Sequence, residues 1–109
     1  MGRKKSRQIV LMGKDAGSGN AAPLGPRREV RETLARFNTS TDGSSTAGSP
    51  LERLYGPGMV VELPTSVEPL TQAIATMNDE DTAFPVLVKL CRETGWRLMD
   101  VESGRVLTL

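Results

Sequence analysis

At 109 residues the chain has room for one small domain, and 38% hydrophobic with 4% aromatic residues makes for a lean core. Histidine is absent and Cys91 is the only cysteine, so a single chain can build neither a zinc site, nor an imidazole-driven hydrolytic triad, nor an internal disulfide. The formal charge of +1 conceals a split: residues 1–50 carry nine Lys or Arg against four acids, residues 51–109 five against nine.

The first segment is basic, with Arg3, Lys4, Lys5 and Arg7. These four are the candidate nucleic-acid contacts, because clustered cations bind phosphates in a salt-dependent, sequence-indifferent way. No aromatic residue is interleaved among them to stack on bases. Ile9-Val10-Leu11-Met12 follows, too short for the apolar region of a secretory signal, which usually needs ~7–15 residues. Nothing in the chain approaches the ~18 apolar residues that span a bilayer, and a lone thiol suits a reducing compartment. The expectation is therefore a cytoplasmic protein with no membrane contact.

Residues 13–26 and 38–50 are rich in Gly, Ser, Thr, Asn and Pro. They bury too little side chain to offset backbone ordering at ~1–2 kcal/mol per residue, and read as linkers. Gly13-Lys14 does not begin a nucleotide-binding loop, since the Lys of that motif follows the last glycine. Between the linkers, Val30, Leu34 and Phe37 fall at i, i+4 and i+7, which predicts a short helix over 27–37 just after Pro26. Such a helix is marginal in water unless it docks on a surface. Residues 1–50 thus read as a disordered basic arm with one short helix.

Residues 51–109 read as the folded domain. Gly56-Pro57-Gly58 is a turn, and Met59-Val60-Val61-Glu62-Leu63 a strand closed by Pro64. Residues 70–76 are read as a strand, joined to the previous one as a hairpin through the loop after Pro64. A capping box at Thr65 and Glu68 keeps a helix over 66–77 open as the alternative. The next segment is helical: acids Asp79, Glu80 and Asp81 suit an N-terminus, and Phe84, Leu87, Val88 and Cys91 make a stripe widened by Val86 and Leu90. Gly95 ends it as a left-handed cap. Trp96–Val101 and Arg105–Leu109 then form a second hairpin around Glu102-Ser103-Gly104.

The fold class expected is α+β, a small ββαββ domain whose antiparallel sheet carries one helix on one face, with βααββ as the alternative. Apolar residues fall on both faces of its strands, because Met59, Val61 and Leu63 alternate with Val60, and Trp96 and Leu98 alternate with Met99 and Val101. One helix cannot cover both faces. The second face is expected either to pair with another subunit or to lie beneath residues 26–37.

No catalytic, cofactor-binding or metal-ligating residue is assigned. Asp79, Glu80 and Asp81 match no calcium loop, and Cys91 sits on the apolar stripe, away from Lys89 and Arg92. The composition points away from an enzyme and towards a small interaction module. Trp96, Met99 and Val101 are its candidate partner-facing residues, toward a protein partner or a second copy. The alternative is a weak nucleic-acid-associated protein acting through the basic arm.

Overall fold

Seven regular elements are laid out in the computed structural model of the chain, which describes residues 6–14, 22–41, 51–65 and 69–107. They are β1 (Arg7–Met12), α1 (Arg27–Ala35), β2 (Leu51–Gly56), β3 (Met59–Pro64), β4 (Gln72–Met77), α2 (Glu80–Thr94) and β5 (Arg97–Asp100). The strands form one sheet in the order β2-β3-β4-β1-β5, with every pairing antiparallel. It follows that β1 runs parallel to β3 with β4 between them, and β4 parallel to β5 with β1 between them. α2 therefore bridges the parallel strands β4 and β5 around β1, a split β-α-β unit, whereas α1 leads from β1 across β4 and β3 to the edge strand β2, which is antiparallel to β1. The α+β class and the antiparallel sheet agree with the sequence; the order of elements does not.

The largest difference lies at the N-terminal end. Residues expected in a disordered arm supply β1, an interior strand with β4 on one side and β5 on the other. Ile9 and Leu11 are fully buried, and Val10, on the opposite face, is only 6% exposed. An interior strand with apolar side chains on both faces reads as an unbroken apolar run, not as an alternation. That is why Ile9–Met12 gave no strand signal in its basic surroundings. Arg3, Lys4, Lys5 and most of both Gly/Ser-rich stretches lie outside the described residues.

The short helix forms where expected and is part of the fold. α1 follows Pro26, and its Val30, Leu34 and the succeeding Phe37 join one apolar core with Leu87, Leu90 and Cys91 of α2. Burying three such side chains at ~1.5–3 kcal/mol each offsets the marginal stability of a nine-residue helix. Two polar contacts fix its position: the Arg27 guanidinium donates to Pro64 O at 2.8 Å, and Arg31 pairs with the buried Glu52 carboxylate at 3.1 Å.

Beyond residue 50 most of the reading holds. Residues 72–77 are strand β4, paired antiparallel with β3, and not a helix. α2 runs from Asp79 to a left-handed Gly95 (φ +81), although Ala83, Leu87, Leu90 and Cys91 are its buried set, with Phe84 only partly buried. β2 was not anticipated as a strand. It pairs with β3 across a turn in which Gly58 has φ +66, and Gly58 O accepts the N–H groups of Asn78 and Asp79. A Cβ at Gly58 would lie 2.6 Å from Asp79 O, so the turn and the start of α2 are built against each other. The C-terminal hairpin is reduced to a single bridge, Met99 to Val106, beyond a turn with Gly104 at φ +71.

Candidate interaction face

Strand register sorts the sheet residues into two faces, since cross-strand partners point the same way. One set comprises Leu54, Met59, Val61, Leu63, Ala73, Ala75, Met77, Ile9, Leu11 and Leu98, and all of these belong to the core shared with α1 and α2. Both helices therefore lie on this side. Residues 26–37 do not cover the second face as one of the two expectations had it.

The second face has no described helix over it, and its side chains fall in three rows across the strands. The outer row is Tyr55, Val60, Thr76 and Gln8, with Val101 just beyond β5 donating its N–H to Gln8 O. The middle row is Arg53, Glu62, Ile74, Val10 and Met99, extended by the bridge to Val106. The third contains Leu51, Pro64, Gln72, Met12 and Arg97. Apolar groups dominate the middle of this surface. Tyr55, Val101 and Val106 are the large hydrophobics exposed at its margins, at 43%, 44% and 46%.

Its charges are already engaged within the chain. Arg53 and Glu62 sit opposite each other on β2 and β3 at 3.2 Å, and Arg97 Nε donates to Gly13 O at 3.3 Å. Both edges of the sheet are also partly occupied. Ser40 exchanges two backbone hydrogen bonds with Tyr55 outside β2, at 3.1 and 2.7 Å. Outside β5, Asp100 donates to Arg105 O and Leu107 to Leu98 O, each at 2.8 Å. Edges taken up in this way are poor templates for an added strand. The face is the more available surface.

The structure separates the residues nominated from sequence. Met99 stands in the middle row of the open face and Val101 at its end. Trp96 is 9% exposed and part of the core, on the side of Leu98. Arg7 lies on the helix side at one end of β1, where its guanidinium donates to Glu80 at 2.8 Å and Asp100 at 3.1 Å. The hydrogen bond with Asp100 raises the Arg7 pKa. Desolvation opposes ionisation of Asp100, but the Glu102 N–H and the Arg7 guanidinium outweigh it and hold the carboxyl below its ordinary range. Tyr55, Val60, Ile74 and Arg53 were not nominated. The alternation of Leu51, Arg53 and Tyr55 against Glu52 and Leu54 was the signal that could have placed β2 and its outward side chains.

No protein-family model, curated protein or solved structure matches the chain. The functional argument therefore rests on the surface itself.

Two other features have structural explanations. Asp79 precedes the first turn of α2 and its carboxylate accepts the Thr82 hydroxyl at 2.8 Å, while Glu80 pairs with Arg7. Among the described residues no cluster of three or more His, Cys, Asp or Glu could hold a metal ion, and no helix is long and apolar enough to cross a membrane. Cys91 is a free thiol, 5% exposed in the core, and burial pushes its pKa from 9.0 up to about 11.

This shift has a testable consequence. A group whose pKa is raised by folding stabilises fully below its unfolded value, and that stability is lost as pH climbs through the folded one. Unfolding free energy should thus hold to about pH 8.5 and then fall by up to about 2 kcal/mol between pH 9 and 11. In Cys91→Ala this alkaline decline should flatten, although the variant starts lower at neutral pH. Denaturant titrations at a series of pH values check both.

Proposed function

We propose that this chain is a small, non-catalytic interaction module whose uncovered sheet face takes up a protein surface. The observation that carries the reading is the middle row Ile74-Val10-Met99, an apolar strip across three neighbouring strands on the side away from both helices. Ile74 and Met99 are half-buried and Val10 is 6% exposed, with the exposed Tyr55, Val101 and Val106 at the margins. Burying what remains of this apolar area under a partner is worth about 25 cal/mol for each Å². Internal pairing of Arg53 with Glu62 supports the same reading, since covering the face strands no lone charge there. Contact to nucleic acid through Arg3, Lys4, Lys5 and Arg7 has less to draw on, with Arg7 held by two carboxylates.

Methionine oxidation tests the face directly. In an extract of the producing cells, Met99 should oxidise several-fold more slowly in the wild-type chain than in Ile74→Lys. Met59 and Met77, buried in the core, serve as internal references in both. Equal Met99 rates in the two proteins would mean that nothing covers the face, and the module reading would be wrong.

A further inference from the structure

We draw no further inference here: the strongest candidate, the open face of the sheet around Val10, Ile74 and Met99, belongs to the interaction surface already described, and nothing in the structure shows what covers it.

Discussion

A chain that begins at Gly13 will not show a cooperative unfolding transition. β1 brings Ile9 and Leu11 to full burial and Val10 nearly so, and it is the only strand joining β5 to the rest of the sheet among the described residues. Losing three such side chains removes on the order of 5–8 kcal/mol, comparable to the whole stability of a small domain. The damage exceeds that sum, because both neighbouring strands are left with unpaired backbone groups. Circular dichroism and a denaturant titration of the truncated chain should show a broad, non-cooperative response. Leu11→Ala provides a graded version, with an expected loss of 2–5 kcal/mol in an otherwise native fold. Were the N-terminal segment a loose arm, both proteins would unfold at the wild-type midpoint.

This prediction turns on the element that the sequence concealed most completely. Helix α2 was legible because an amphipathic stripe, an acidic start and a terminal glycine all agree on its limits. β3 and β4 were legible by alternation and by the proline that ends the first of them. Helix α1 was visible as Val30, Leu34 and Phe37, but its destination was not, since three apolar residues do not say which surface they meet. β1 lacked any such signature. Its apolar run is four residues, its flanks are basic and glycine-rich, and interior position in a sheet is decided by partners sixty and ninety residues away. Average composition over residues 1–50 pointed to disorder while these few residues were supplying the centre of the core. The open face was legible in outline, because Met99 and Val101 alternate with Trp96 and Leu98. Its rows were not, since they depend on the order of strands, which no local pattern in β5 or β3 contains.

Trp96 and Met99, three residues apart, should separate stability from association. Trp96 follows the left-handed Gly95, donates its backbone N–H to Thr94 Oγ1 at 3.1 Å, and packs into the core. Trp96→Ala should cost about 3–5 kcal/mol through lost contacts and the cavity left behind. In a domain of this size that lowers the midpoint by roughly 15 °C or more. Any loss of association in this variant would track the fraction unfolded and recover on cooling. Met99 points to the other side, half-buried between Val10 and Val106 on the open face. Met99→Asp should therefore move the dilute-solution midpoint by only a few degrees, because the carboxylate stays hydrated there. It should nonetheless prevent a protein partner from closing over the face, since that would bury the charge unpaired. Thermal melts of both variants, in buffer and in cell extract, give a two-by-two outcome. Stabilisation of the wild type by extract that vanishes in Met99→Asp and persists in Trp96→Ala ties association to the face and not to the core. If Met99→Asp instead melts as low as Trp96→Ala in dilute solution, the middle row is part of the monomer's own packing, and the two faces of the sheet have been assigned the wrong roles.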